Sequence, residues 1–244
     1  MRVTTRQIVM VGLLGALVVV LGLAPVGGFI PVPTPAGRAT TMHIPVILAG
    51  TLEGPVVGAL VGLLFGLFSY IRNLMEPANP VAAVMFADPL VTFLPRILIG
   101  IVAHYAFRLV KWPYTRAGVA AVTGLLVADM SRRAGLLYGR GSALVTTEGA
   151  ASPGLWLLAV LAGVGITVGA WFVLSGRNAG VGAAGLLGTL TNTVGVLGLA
   201  TLRGYLPAQV SLTVGLLHGL PEMLVAVVLV TLLDRSIRRA TQGA

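Results

Sequence analysis

A few polar side chains sit inside long apolar runs, and their spacing limits what they can do. His218 and Glu222 are four residues apart in the stretch Leu212 to Arg239, so on a helix they share one face. A carboxylate near the middle of a membrane costs roughly 2.5–3.5 kcal/mol, so it is expected to face a cavity or a partner rather than lipid. Pro221 lies between them; it cannot donate an N–H and leaves a carbonyl one turn back to be satisfied by a neighbour or water. Thr189, Asn192 and Thr193 stand at i, i+3 and i+4 in another apolar run. Either threonine can bond back to its own helix, whereas the Asn192 amide needs a partner. Arg96 follows Pro95 near the start of a third run, and Arg72 and Asn73 close a fourth. A guanidinium at such a place either snorkels to the headgroups or meets an anion, and its planar fork suits a carboxylate. Thr40, Thr41 and His43 lead into a short apolar run.

These groups suit recognition better than bond-breaking. The histidines at 43, 104 and 218 are scattered, with no H-E-x-x-H motif and no paired-carboxylate signature. The chain has no cysteine, which excludes disulfides, thiol nucleophiles and thiolate metal sites. A membrane enzyme is therefore the weakest reading, and no catalytic residue, metal or cofactor is expected.

The elements that must hold these groups are membrane helices. Of 244 residues, 57% are apolar and 9% charged, and the mean hydropathy is +0.98. Soluble domains carry about 25% charge. The expectation is an all-α, polytopic helical bundle in one membrane domain spanning 1–244. The net charge of +9 comes mostly from helix ends, where it sets topology, so nucleic acid is not an expected partner. Residues 8–24 read as the first span; the apolar run is longer than the ~7–15-residue core of a signal peptide. Gly12 and Ala16 form a small-xxx-small pair there, suited to packing within the bundle or to docking another membrane subunit. Residues 25–42, rich in proline and glycine, cannot form a regular helix and read as a lid. Residues 43–52 are too few to cross upright and read as a short helix inside the bundle. Residues 55–71 read as the next helix, and Gly54, Gly58, Gly62 and Gly66 form one packing stripe along it. Residues 72–88 read as a turn-rich connector, and 89–109, 180–202 and 210–234 as spans. Between them, 118–129 and 154–174 read as a two-helix excursion.

With a cytoplasmic N-terminus, this count returns the C-terminus to the cytoplasm. Nine basic residues then fall inside, with clusters around Lys111 and Arg238, and seven at or beyond the outer boundary, a weak positive-inside bias. Both long loops, Arg72, Asn73 and Arg96 lie on the outer side, where the polar groups converge on an outward-facing pocket.

Four strings in this order carry a resemblance: MHIPVILAGTLEGPVVGALVGLLFG at 42–66, LPRILIGIVAH at 94–104, GTLTNT at 188–193 and GLPE at 219–222. They resemble the substrate-binding (S) subunits of energy-coupling-factor (ECF) vitamin transporters, with the pantothenate type closest. The resemblance covers 1–112 and 180–239. It implies six core transmembrane helices in a bacterial cell membrane, both termini cytoplasmic, a first loop acting as a lid, and no cofactor. It also implies partners: a vitamin, the bilayer, a membrane coupling (T) subunit docked at Gly12 and Ala16, and two cytoplasmic ATPase subunits. The chain itself lacks a G-x-x-x-x-G-K-[ST] loop. Two departures stand out. Residues 113–179 form an insertion that the six-helix pattern does not need, and His218 stands where related sequences often carry asparagine.

The resulting expectation is a binding subunit that captures pantothenate or a similar vitamin outside and delivers it inward with the ATP-driven module. Asn192, His218 and Glu222 are expected to bond hydroxyl and amide groups. Arg96, or Arg72 with Asn73, is expected to pair with the carboxylate, and Thr41 and His43 to close the pocket. The alternative is a stand-alone proton-coupled secondary transporter using His218 and Glu222, against which stands the absence of an inverted repeat of broken helices.

Overall fold

The computed structural model describes residues 4–24, 29–31, 38–110 and 179–242, with a few isolated residues between 110 and 179. The insertion 113–179 and most of the proposed lid lie outside the described residues. Helix α1 (Thr5–Leu23) starts in a capping box: Thr4 Oγ1 accepts from Gln7 N at 3.3 Å, and Gln7 Oε1 accepts from Thr4 N at 3.0 Å. It stops at Ala24, which is extended ahead of Pro25. A short antiparallel ribbon follows, β1 (Phe29–Pro31) paired with β2 (Arg38–Thr40), Phe29 opposite Thr40.

Helix α2 (His43–Glu53) is buried on all sides from His43 to Thr51, as an element apolar all round must be. It is the short internal helix its length implied. Gly54 turns the chain with φ +102°, a conformation that favours glycine, and Pro55 opens α3 (Pro55–Met75). Gly54 is thus a turn residue and not part of the packing stripe. Gly58, Gly62 and Gly66 do form that stripe, against α5 (Pro89–Leu109). A Cβ on Gly58 would lie 2.8 Å from the Gly100 Cα, and one on Gly62 would run into the Arg96 carbonyl.

The connector between these helices is more ordered than its turn residues suggested. Asn79 accepts from Ala82 N at 2.8 Å, Pro80 follows, and α4 (Pro80–Ala87) runs to Asp88. Asp88 in turn caps α5 through Leu90 N at 2.9 Å. Helix α6 (Ala179–Leu202) lies along α5, with Gly195 facing Pro95. Gly204, at φ +76°, makes the turn into α7 (Ala208–Gln242). That helix continues through Pro221 and extends past the 210–234 expected of it.

Helices α1, α3, α5 and α6 are each long and apolar enough to cross a membrane. Helix α7, at 35 residues, is about 52 Å long. Two polar contacts mark the ends of the bundle. At one, Arg6 binds Glu53 at 2.7 Å. At the other, Arg203 Nε donates to Asp88 Oδ2 at 2.8 Å and Tyr205 OH to the same oxygen at 3.0 Å. Burial pushes the Asp88 carboxyl up, but the bonds from Arg203, Leu90 and Tyr205 outweigh it and hold the group below its ordinary value. The hydrogen bond and charge of Asp88 raise Arg203 correspondingly.

Candidate functional site

Arg96 owes its position to its neighbour. Pro95 has no N–H, so the Val91 carbonyl loses its helical donor. The Arg96 side chain folds back along α5 and supplies one, Nη1 donating to Val91 O at 2.7 Å. Its guanidinium lies between two rings, 5.6 Å from the Phe65 centroid on α3 and 5.2 Å from that of Phe86 on α4, a favourable setting for a cation. The residue is 5% exposed, and Nε is buried without a partner among the described residues.

Two adjoining recesses meet at Arg96, and Thr40 and Phe86 line both. The first has about 390 Å³ of space including its mouth, and Arg96, Asn192, Thr193, His218 and Glu222 face it. Helix α6 contributes Asn192 and Thr193, whose Oδ1 and Oγ1 are buried with no hydrogen-bond partner among the described residues. Helix α7 contributes His218, buried, and Glu222, one turn apart. Glu222 Oε1 accepts from Thr40 N at 2.6 Å, tying α7 to the end of the ribbon. Arg96 and Glu222 line the same recess from α5 and α7.

The second recess, about 490 Å³ with its mouth, lies between the end of α3 and α4, with Ser69, Arg72, Asn73 and Glu76 on its wall. Asn73 Nδ2 donates to Ala83 O at 3.0 Å and so holds α4 against α3. Arg72 pairs with Glu76 at 2.6 Å, one turn on. Its Nε and the Ser69 Oγ are buried without hydrogen-bond partners among the described residues.

The residues singled out in the sequence thus divide. Arg96, Asn192, His218 and Glu222 come together from three helices, and Asn73 lies in the neighbouring recess. His43 lines neither; it is 1% exposed in the core, with Nε2 3.1 Å from Thr189 Oγ1. Thr189 also bonds back to Gly185 O at 2.8 Å. Thr41 is half-buried and lines neither recess, whereas Thr40 lines both. Among the described residues no group of histidines and carboxylates could hold a metal ion. Sequence reasoning noted Thr40 beside the lid without assigning it to the site, and missed Ser69, Phe65 and Phe86. The last lies on the helix that was read as a connector, and Asn79-Pro80, a cap followed by a first-turn proline, was the available signal.

Apolar helices around two recesses that hold buried polar side chains define a polytopic helical membrane protein with room for a small molecule. Comparison with protein-family models matches residues 6–233 to the family described as ECF transporter, substrate-specific component. The chain belongs to that family. Such components bind a small-molecule substrate and work with coupling and ATPase modules. A comparison with individually curated proteins finds no match.

Proposed function

We propose that this component captures a small, water-soluble vitamin or vitamin precursor, and that pantothenate is the ligand its polar groups suit best. The observation that carries this reading is the convergence of Arg96, Asn192, Thr193, His218 and Glu222 on one recess. A guanidinium answers a carboxylate. Asn192 Oδ1 and Thr193 Oγ1, both lacking hydrogen-bond partners among the described residues, answer hydroxyl and amide groups, as does Glu222. The recesses lie toward the end of the bundle that holds Asp88, away from Thr4 and Glu53. With the N-terminus cytoplasmic in a bacterial cell membrane, the ligand enters from outside, under a lid formed by residues 25–42. Release inward requires an ATP-driven coupling module with a T subunit and two ATPases.

Gly12 and Ala16 are the proposed docking face for the T subunit. Both are exposed, and a Cβ on Gly12 would meet nothing within 4 Å. The small residues that pack α1 inside the bundle are instead Gly15, against Leu64, and Gly22, against Phe68. Residues 1–112 and 180–239 form the proposed core, with 113–179 inserted into it.

Calorimetry on the purified full chain tests the reading. Pantothenate is expected to bind, and Glu222→Gln and Arg96→Ala to weaken it. Folded protein that binds no vitamin from a panel would sink the proposal. Proton-driven uptake by the chain alone in proteoliposomes would favour a secondary transporter using His218 and Glu222.

A further inference from the structure

The recess between α3 and α4 has a chemistry of its own. Its polar wall has Arg96 on one side and Ser69, Arg72 and Asn73 on the other. Arg96 Nε, Arg72 Nε and Ser69 Oγ are buried there without hydrogen-bond partners among the described residues. Buried donors in folded proteins are nearly always satisfied, and all three can donate, two of them from guanidinium groups. Arg72 is also the last basic group on α3, where the helix dipole favours a cation.

One carboxylate already touches this cluster. Glu76, 62% exposed, holds Arg72 Nη2 at 2.6 Å. Water competes with Arg72 for the exposed carboxylate, which weakens the pair. An arriving anion can compete with Glu76 for the half-buried guanidinium.

We propose that Ser69, Arg72 and Arg96 form a subsite for the anionic end of the captured molecule, and that Glu76 occupies Arg72 until that anion displaces it. The inference rests on the ligand-capture reading above and deepens it: the ligand is an elongated anion. Its charged end lies between α3 and α4, and its hydroxyl or amide end lies among Asn192, Thr193 and Glu222. Phe65 and Phe86 flank the guanidinium that both recesses share. A phospholipid headgroup offers similar anionic chemistry, so the test separates the two sources.

Binding is measured by calorimetry on the full chain in phosphatidylcholine nanodiscs. The probes are pantothenate, biotin and nicotinate, each beside a neutral counterpart (panthenol, biotin methyl ester, nicotinamide), together with thiamine and riboflavin. One anion is expected to bind at least about 10-fold tighter than its counterpart, the scale of a charge-assisted bond. Arg72→Gln is expected to remove most of that preference, weakening the anion far more than the neutral counterpart. Should that variant fail to fold, Arg72→Lys and Ser69→Ala ask the same question with smaller changes. Glu76→Gln is expected to tighten the anion by about 2- to 5-fold and leave the neutral compound alone.

A protein that binds only thiamine or riboflavin overturns the subsite and leaves the S-component reading intact. So does an anion preference that survives Arg72→Gln, or an anion affinity indifferent to Glu76→Gln. Folded protein that binds nothing in the panel removes the function and the subsite together. Competition by phosphatidylglycerol that Arg72→Gln relieves assigns the place to a headgroup and overturns the proposal; equal affinity in both lipids supports it.

Discussion

Arg96 answers two needs with one side chain. Nη1 satisfies the carbonyl that Pro95 leaves without a donor, and the rest of the guanidinium faces the recess. Arg96→Ala therefore removes a ligand group and also strands the buried Val91 oxygen, at a cost of about 1–3 kcal/mol. Pro95→Ala returns the helical N–H, so in that background the stability cost of Arg96→Ala is expected to shrink. A double-mutant cycle on thermal unfolding in detergent should show coupling of about 1 kcal/mol or more; additive effects would mean that the Arg96–Val91 bond contributes little. Ligand affinity should fall with Arg96→Ala in both backgrounds, because the charge is lost either way. Polar residues in an apolar chain stand out, and so Arg96, Asn192, His218 and Glu222 were visible in the sequence. His43 stood out equally, yet it sits in the core beside Thr189. A polar side chain that is conspicuous by type does not announce which neighbour it satisfies. Thr40 was harder to see, because it meets Glu222 through its backbone N–H, a group every residue but proline possesses.

The helices meet at glycine. A methyl group on Gly62 would run into the Arg96 carbonyl and come within 3.0 Å of Ile97 Cα. Gly62→Ala is expected to destabilise the protein by about 1–3 kcal/mol, and to weaken ligand binding because it displaces the turn of α5 that carries Arg96. The same substitution at Gly12 meets open space and should alter neither property. At the far junction, Asp88 joins the start of α5 to the turn between α6 and α7. Its carboxyl is held below its ordinary value. The stability it confers is therefore complete above an ordinary carboxylate pKa of about 4, and is lost as the pH falls through the lower folded value. Unfolding measured down the pH scale should show wild type and Asp88→Asn converging below about pH 4. A difference that persists there would assign the effect to packing. The spans were legible because twenty apolar residues admit few other readings. Helix α4 was not, since eight residues bounded by Asn-Pro and Asp-Pro look like punctuation until a cap is recognised.

For the whole molecule, binding and transport should separate. The recess and the exposed face of α1 are built from different residues. Gly12→Leu or Ala16→Leu is expected to leave ligand affinity of the isolated chain unchanged and to abolish uptake by cells that supply the coupling module. Loss of both together would place α1 in the binding architecture. The ribbon β1–β2 marks a limit of pattern reading, since three-residue strands carry too little periodicity to detect. The pairing of α3 with α5 bears on how the chamber can open. Where the Gly58 and Gly100 backbones touch, no side chains lie between them to roll or slide, so these two helices act as a keel that does not part. Over the recesses lie the ribbon, joined to α7 at Thr40, and α4, joined to α3 at Asn73 and to α5 at Phe86. Any opening of the proposed chamber is expected in that cover, with the hull intact.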